Sequence, residues 1–168
     1  MIDTAQAFGV DIGGSGIKAA PVNLEKGEFA EPRYKILTPA VSTPQAVADI
    51  VRQQLEHFEV PADVPVGIAF PAPIKPGKKL DFMANLDQSW IGVDVTEVFS
   101  EACGRPVTVV NDADAAGLAE QRFGAAKDKD GLVIATTLGT GIGTALIYNG
   151  VLIPVSYTHL RAHETDSY

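Results

Sequence analysis

The sequence predicts an α/β fold with an antiparallel start, and three observations support this prediction. Strand candidates at 7–12, 17–24 and 34–38 follow one another closely enough to form hairpins. After Thr43, apolar residues recur at helical spacing. Further along, short apolar segments alternate with helical ones, a pattern typical of α/β proteins.

The first two strand candidates, AFGVDI and IKAAPVNL, flank a glycine corner, GGSG at 13–16. A Rossmann turn or a P-loop requires a helix to open directly after its glycines. Here Pro21 stands five residues after the last glycine and would break such a helix. The corner therefore predicts a β-hairpin, and YKILT at 34–38 supplies a third strand.

A helix over 44–58 is predicted from its start signals and its apolar face. Thr43 is a suitable N-cap, and Pro44 occupies the first helical position. The apolar positions that share one helical face are Val47, Ile50, Val51, Leu55 and Phe58. The segment VPVGIAF at 64–70 then predicts a buried strand.

The second half of the chain continues this alternation. In LDFMANLDQSWIG, at 80–92, we expect little beyond a short strand. The remaining predicted elements are a helix at 94–103 ending at Gly104, a buried strand at 106–111, a helix at 112–123, a buried strand at 131–138, and a hairpin at 143–154 on the Asn149–Gly150 turn.

Composition restricts the classes of partner. The formal net charge of −8 at pH 7 argues against nucleic-acid binding, which requires a basic face. Cys103 is the one cysteine, so no internal disulfide forms. No apolar run reaches the ~20 residues of a membrane helix, and MIDTAQ lacks the layout of a signal peptide. We therefore expect a cytoplasmic protein with no membrane partner.

Two glycine corners of the same kind, GGSG at 13–16 and GTGIG at 139–143, each lie between two predicted buried strands. Glycine lets the backbone approach a ligand closely and adopt positive φ, so that successive N–H groups converge on phosphate oxygens. Ser15, Lys18 and Thr140 would add hydroxyl and ammonium donors. Each corner alone is more often a simple turn, but the pair predicts a phosphate site.

A third motif, NDADAAGLAE, begins where a predicted strand ends and a helix starts. Ligands favour the carboxyl ends of strands. There the ionised carboxylate of Asp112 can accept the proton of a substrate hydroxyl as its oxygen attacks a phosphoryl group. The alternative, on local sequence alone, is that Asp112 or Asp114 merely caps the helix.

In this order the motifs VDIGGSGIK, NDADAAGLAE and LGTGIG resemble the ROK family of sugar kinases, over residues 7–154. The segments FPAPIKPGKK, ANLDQSWIG and TTLGTGIGTALIYNGVLIP resemble the branch that phosphorylates glucose at O6 with polyphosphate, ATP or both. The resemblance implies an actin/hexokinase-like ATPase fold, which is ribonuclease H-like. It also implies Mg²⁺ as cofactor, glucose or alternatively mannose as acceptor, and a homodimer for the full-length protein.

The resemblance assigns roles by position. Asp112 becomes the catalytic base, Asn85 and Asn111 contact sugar hydroxyls, and Asp11 lies near Mg²⁺. The first phosphate element becomes Asp11, Gly13, Gly14, Ser15, Gly16 and Lys18, and the second becomes Gly139, Thr140, Gly141 and Gly143.

Two further features have a structural and a functional interpretation. Trp90 either stacks on a sugar face or packs in the core, and the core is the better interpretation. Lys75, Lys78 and Lys79 either guide polyphosphate into an acidic protein or form a solvated loop.

The resemblance also predicts the domain organisation: an N-terminal domain at 1–108, the opening of a second domain at 109–154, and a non-native tail at 155–168. The Glu and His that complete the sugar site in the family do not follow Pro154. We therefore expect a truncated second domain with exposed strand edges and an inactive chain.

Other functions stay open at this point. A strictly ATP-dependent ROK hexokinase would share every residue named above. A sugar-binding ROK regulator is disfavoured because only about six residues precede AFGVDI, too few for a winged helix-turn-helix. An actin or chaperone relative would not require ANLDQSW followed by NDADAAGLAE.

Overall fold

The computed structural model describes residues 7–75, 77–139 and 141–153. Thr140, Pro154 and the predicted non-native tail at 155–168 lie outside the described residues. The strands and helices, in chain order, are β1 (Ala7–Gly13), β2 (Gly16–Asn23), β3 (Glu28–Phe29), β4 (Tyr34–Ile36), α1 (Pro44–His57), β5 (Val66–Phe70), a 3₁₀ turn (Gln88–Trp90), α2 (Val95–Cys103), β6 (Val107–Asn111), α3 (Asp112–Phe123), β7 (Leu132–Leu138), β8 (Ile142–Tyr148) and β9 (Val151–Ile153).

The chain divides into two compact units, Met1–Asp112 and Ala113–Tyr168. The division falls four residues after the boundary that the sequence suggested. Among the described residues, no helix combines the length and the apolar character needed to cross a membrane.

The first unit contains a six-stranded mixed sheet with the order β3-β2-β1-β5-β6, in which β4 also pairs with β2. The predicted hairpin is confirmed: β1 and β2 pair antiparallel up to Gly13 opposite Gly16. Strands β1, β5 and β6 run parallel to one another. Their carboxyl ends therefore meet at one edge of the sheet, where a ligand site is expected.

Helices α1 and α2 begin and end at the predicted signals. The Thr43 hydroxyl accepts the Ala46 N–H, and Pro44 opens α1. The Asp94 carboxylate accepts the N–H groups of Thr96 and Glu97 at the start of α2, while Gly104 closes it with a φ of 62°. The two caps thus orient the helices that cover the apolar face of the sheet.

Trp90 packs in the core, which was the favoured interpretation of its sequence position. Its ring is fully buried, with centroids 4.8 Å from Phe70 and 5.7 Å from Phe99. The indole N–H donates to the Ser42 carbonyl at 2.9 Å, so burial leaves no unpaired donor. Trp90 is therefore not available to stack on a sugar.

The prediction of a short strand within 80–92 is wrong. The segment is a loop closed at its base, where the Leu80 N–H donates to the Val93 carbonyl and the Gly92 N–H to the Leu80 carbonyl, both at 2.8 Å. Its buried residues are Leu80, Met83, Leu86 and Trp90. Their spacing of three or four positions does not alternate as a strand requires, so the loop coils over the core instead.

The second unit contains a three-stranded antiparallel sheet with the order β7-β8-β9 and the helix α3. The predicted Asn149–Gly150 turn is confirmed, since both residues have positive φ, 47° and 79°. A Cβ added at Gly117 of α3 would lie 2.6 Å from the Ala145 Cβ of β8. The helix and this sheet are therefore in direct contact.

The prediction that β7 is buried is wrong. Leu132, Ile134 and Leu138 alternate on one face and are 56%, 61% and 81% exposed. Register places the side chains of Ile142 and Tyr148 in β8 on the same face. Residues of the opposite face, including Ala145 and Ile147, are buried.

Candidate functional site

Asp11 lies near the carboxyl end of β1, at the sheet edge where β5 and β6 also end. It stands opposite Lys18 in β2 and beside Ala69 in β5. The Lys18 ammonium contacts the Asp11 carboxylate Oδ2 at 3.3 Å, with the side chains 36% and 52% exposed. A cation and an anion of the predicted first phosphate element are thus adjacent and accessible to solvent.

The GGSG corner is a tight hairpin in which Gly14 and Ser15 join the paired Gly13 and Gly16. The expectation that these glycines adopt positive φ is wrong, because none of the three has a left-handed φ. Close approach of the Asn85 main chain accounts for Gly14 instead, while at Gly16 the nearest group is the flexible end of a lysine. A Cβ on Gly14 would lie 3.3 Å from the Asn85 carbonyl oxygen, and a Cβ on Gly16 would lie 2.3 Å from the Lys35 Cε.

Thr38 is a contact of the corner that sequence reasoning missed. Its hydroxyl donates a short hydrogen bond to the Gly13 carbonyl. This bond ties the corner to the segment after β4. In the sequence Thr38 is only the last residue of the strand candidate at 34–38, a position that carries no specific signal.

Asn85 lies on the loop at 80–93 and is exposed. The buried side chains of Met83 and Leu86 anchor the loop on either side of it. Because its main chain contacts Gly14, the structure brings this predicted sugar contact to the first glycine corner.

Asn111 is the last residue of β6, and Asp112 is the first residue of α3. The Asn111 amide donates to the Ala72 carbonyl at 3.2 Å, which orients its side chain oxygen. The Asp112 side chain is exposed. In register, Ala69 of β5 stands beside Asp11 and Phe70 beside Asn111. Two inter-strand spacings, about 10 Å, therefore separate β1 from β6.

The three lysines of the loop at 75–79 differ in their contacts. The Lys75 ammonium lies 3.3 Å from the Asp81 carboxylate and is mostly buried, while Asp81 is exposed. Lys78 and Lys79 are exposed. The Lys78 N–H donates to the Lys75 carbonyl at 3.1 Å, which makes the loop a turn.

The second glycine corner joins β7 to β8. The Gly139 N–H donates to the Gly141 carbonyl at 3.0 Å. A Cβ on Gly143 would lie 2.5 Å from the Thr137 Oγ1 and 2.7 Å from the Ala113 Cβ, so glycine is required for this strand to pass α3. Within the second unit the corner therefore has the hairpin geometry that the sequence predicts.

The donor set suits Mg²⁺ held mainly by substrate. Among the described residues no cluster of three or more His, Cys, Asp or Glu side chains could form a metal cage. Mg²⁺ commonly uses one or two carboxylates together with phosphates and water. Asp11 fits that use, since Lys18 contacts only its Oδ2 oxygen and the carboxylate is half-exposed.

The order of strands and motifs agrees with a comparison of sequences, in which the ROK family profile matches residues 7–154. The chain belongs to the ROK family. This ROK chain is 45% identical over 156 residues to a polyphosphate glucokinase of Mycobacterium tuberculosis. The match covers 92% of the chain and 58% of that relative, so the chain spans little more than half its length.

Two solved ROK structures are similar to this chain. A polyphosphate/ATP-glucomannokinase from an Arthrobacter species is 43% identical with a TM-score of 0.83, covering 89% of this chain and 61% of the other. A glucokinase from Streptomyces griseus, solved with glucose and AMPPNP, is 34% identical with a TM-score of 0.75, covering 88% and 46%. The predicted actin/hexokinase-like, ribonuclease H-like fold is confirmed.

Proposed function

We propose that the ROK protein represented by this chain phosphorylates glucose at O6, forming glucose 6-phosphate, with polyphosphate or ATP as donor. The observation that supports this most is the sheet edge in the first unit. There Asp11, the GGSG corner, the Asn85 loop and the Asn111–Asp112 pair follow the ends of neighbouring strands or contact them. A phosphoryl transfer requires hydrogen-bond donors for the phosphate oxygens, groups that hold the sugar, and one carboxylate that acts as base.

On the acceptor side, Asp112 is the proposed catalytic base. Its carboxylate accepts the proton of the sugar O6 hydroxyl as that oxygen attacks the terminal phosphorus of the donor. The amides of Asn85 and Asn111 each offer a donor and an acceptor, which suits hydroxyl groups that are both. They would hold the sugar so that O6 faces the donor.

On the donor side, N–H groups of Gly14, Ser15 and Gly16 and the Lys18 ammonium are proposed to bind phosphate oxygens. Gly139, Thr140, Gly141 and Gly143 are proposed as the second phosphate element. Mg²⁺ near Asp11 would supply charge neutralisation on the phosphates. The Lys18 ammonium would then interact with two anionic groups, the Asp11 carboxylate and the donor phosphate.

The choice of donor is a separate proposal. The relative with 45% identity is named a polyphosphate glucokinase, and the solved relative with 43% identity a polyphosphate/ATP-glucomannokinase. The exposed Lys78 and Lys79 add local positive charge to an acidic chain. We therefore favour use of both donors over ATP alone, and mannose as a second acceptor.

The proposal is tested in a chimera, because the chain spans 58% of its relative. Residues 7–153 replace the matching segment of the M. tuberculosis polyphosphate glucokinase, and glucose 6-phosphate is measured with polyphosphate and with ATP. Asp112→Asn in this chimera should lower kcat at least about a thousandfold with little change in the donor KM, since the base is lost.

The matched control is Asp114→Asn, two residues further on the same helix. If Asp112→Asn retains kcat within about threefold of the chimera, Asp112 serves as a helix cap and the mechanism fails. A chimera active with ATP but inactive with polyphosphate would instead support a strictly ATP-dependent ROK hexokinase.

We further propose a cytoplasmic location and a homodimeric full-length protein. Both proposals rest on the resemblance of the motifs to ROK sugar kinases. Sedimentation of the chimera and of its parent at matched concentrations would compare their oligomeric states.

A further inference from the structure

Lys35, in β4, lies against the first glycine corner although nothing in the sequence suggested it. A Cβ added at Gly16 would lie 2.3 Å from the Lys35 Cε and 3.3 Å from its Nζ. The lysine side chain therefore occupies the space that a residue larger than glycine would fill at position 16. Gly16 is buried under it, while Lys35 itself is exposed.

The pairing register of β2 and β4 makes the position of Lys35 electrostatically unfavourable when no ligand is bound. Lys35 stands directly opposite Lys18 in the β2–β4 pair. Like charges directly opposite one another in a sheet are destabilising. Asp11 lies within ion-pair distance of Lys18, but no carboxylate within the described part of the chain forms an ion pair with Lys35. The corner thus carries one ammonium group that no anion of the described chain neutralises.

An anionic ligand would resolve this imbalance. Turn N–H groups beside an ammonium form a site for phosphate oxygens, which accept charge-assisted hydrogen bonds. A chain of linked phosphates also carries a second charged group within reach of a second lysine. Lys18 and Lys35, on adjacent strands about 5 Å apart, match that repeated charge.

We propose that Lys35 binds the phosphate chain of the phosphoryl donor at the GGSG corner, beside Lys18. The ligand is a linear phosphoanhydride chain, the chemistry that polyphosphate and the triphosphate of ATP share. This assignment rests on the proposed function and adds to it a residue for donor binding. Gly16 contributes to the same site, because a larger residue there would displace the Lys35 side chain from its position beside the corner.

The test measures binding of inorganic tripolyphosphate to the complete 168-residue chain by titration calorimetry at low salt. Lys35→Gln should raise Kd about tenfold, since one charge-assisted contact is lost. Lys35→Arg, which keeps the charge, should remain within about threefold of the parent. The control, Lys26→Gln, removes the same charge from an exposed position beyond the other end of β2 and should leave Kd unchanged.

Thermal unfolding separates binding from a structural role. Without ligand, Lys35→Gln should unfold at the same temperature as the parent or higher, because it removes a like-charge pair. With tripolyphosphate, its stabilisation should be smaller than that of the parent. A lower unfolding temperature without ligand and an unchanged Kd would overturn the proposal, as would absence of tripolyphosphate binding to the parent chain.

A parallel titration with ATP distinguishes the two sources of the phosphate chain. Equal losses for both ligands assign Lys35 to their common phosphates, and a loss for tripolyphosphate alone assigns it to the polyphosphate donor. Failure of the proposed function would be seen separately: the chimera would be inactive, while the unsubstituted 168-residue chain would still bind tripolyphosphate through Lys35.

Discussion

Gln54 shows how one buried side chain fixes the strands that flank the GGSG corner. It is fully buried on α1, and its amide nitrogen donates to the Ile17 carbonyl at 3.0 Å and to the Tyr34 carbonyl at 3.2 Å. Its Oε1 is buried without a hydrogen-bond partner. The residue after Gly16 and the first residue of β4 are thus held by one donor group.

Gln54→Glu should therefore destabilise the first unit severely. An ionised carboxylate would face two carbonyl oxygens without a donor, at a cost of about 3–5 kcal/mol in the free energy of unfolding at pH 7. Part of the loss should be recovered toward about pH 5, because protonation restores one donor and the folded state raises the pKa of such a group. Chemical denaturation at both pH values measures this.

Gln53→Glu is the control for that experiment, since Gln53 is the neighbouring exposed residue. It introduces the same charge and should change the free energy of unfolding by less than about 0.5 kcal/mol. Equal effects of the two substitutions would show that the Gln54 amide does not hold the strands.

At the residue scale, the sequence singled out Asp11, Asn85 and Asn111, which lie at or beside one sheet edge in the structure, but not their neighbours. Asp11 lies near the end of β1 and Asn111 ends β6, and strand ends are readable from apolar patterns. Lys35 and Thr38 reach the corner through β4, whose pairing with β2 is a tertiary contact. Both lie in the strand candidate at 34–38, but no local pattern encodes its register with β2, so neither was predicted as part of the site.

Helix α3 and the sheet of the second unit illustrate a conflict between elements. Gly117 lies in the helix interior, where alanine is favoured by about 1 kcal/mol. A Cβ there would lie 2.6 Å from the Ala145 Cβ and 3.3 Å from both the Ala135 Cβ and the Ile147 Cδ1. Overpacking of about 1–3 kcal/mol opposes the gain in helix propensity.

We expect overpacking to win, so that Gly117→Ala lowers the free energy of unfolding by about 1–2 kcal/mol. The reason is that two of the contacted atoms are β-carbons fixed to strand backbone. Urea denaturation monitored by far-ultraviolet circular dichroism would measure the change in the free energy of unfolding.

The matched control is Gly67→Ala in β5, where an added Cβ meets nothing within 4 Å. That variant should be neutral or slightly stabilising, because alanine restricts the unfolded chain. A stabilised Gly117→Ala variant would contradict the close packing of α3 on this sheet.

Elements with end signals and hairpins with glycine turns were predicted well, whereas the short strand β3 was not. The predicted helix at 112–123 has the bounds of α3, and α1 and α2 agree with their predicted spans to within a residue at each end, because prolines, caps and glycine mark them. The two-residue strand β3 exists only through its pairing with β2. The loop at 80–93 was wrongly expected to contain a short strand, because its apolar spacing matches no regular element and gives the sequence pattern nothing to identify.

At the scale of the whole molecule, the net charge of −8 opposes any polyanionic donor. Local cations must offset that repulsion, and the exposed Lys78 and Lys79 are candidates, whereas Lys75 lies against Asp81. Long-range attraction of this kind weakens within a Debye length of about 8 Å at physiological salt.

Replacing both Lys78 and Lys79 with Gln in the chimera should raise the KM for polyphosphate about three- to tenfold while the KM for ATP stays unchanged. The effect should shrink as salt increases, because screening reduces the attraction that the lysines provide. Steady-state kinetics at two ionic strengths with both donors measures it.

The control removes the same charge elsewhere, with Gln at the exposed Lys127 and Lys129 of the second unit. An equal rise of KM in the control would attribute the effect to net charge alone. An equal rise for ATP and polyphosphate in the Lys78 and Lys79 variant would exclude a role specific to polyphosphate.

The closed base of the loop at 80–93 has a consequence for evolution. Two main-chain hydrogen bonds join Leu80 to Gly92 and Val93, and such bonds do not depend on side-chain identity. The exposed positions around Asn85 are therefore free to diversify as long as the apolar anchors persist. Under the proposed function, acceptor preference can change by substitutions in this one loop, while the sheet that carries the GGSG corner stays unaltered.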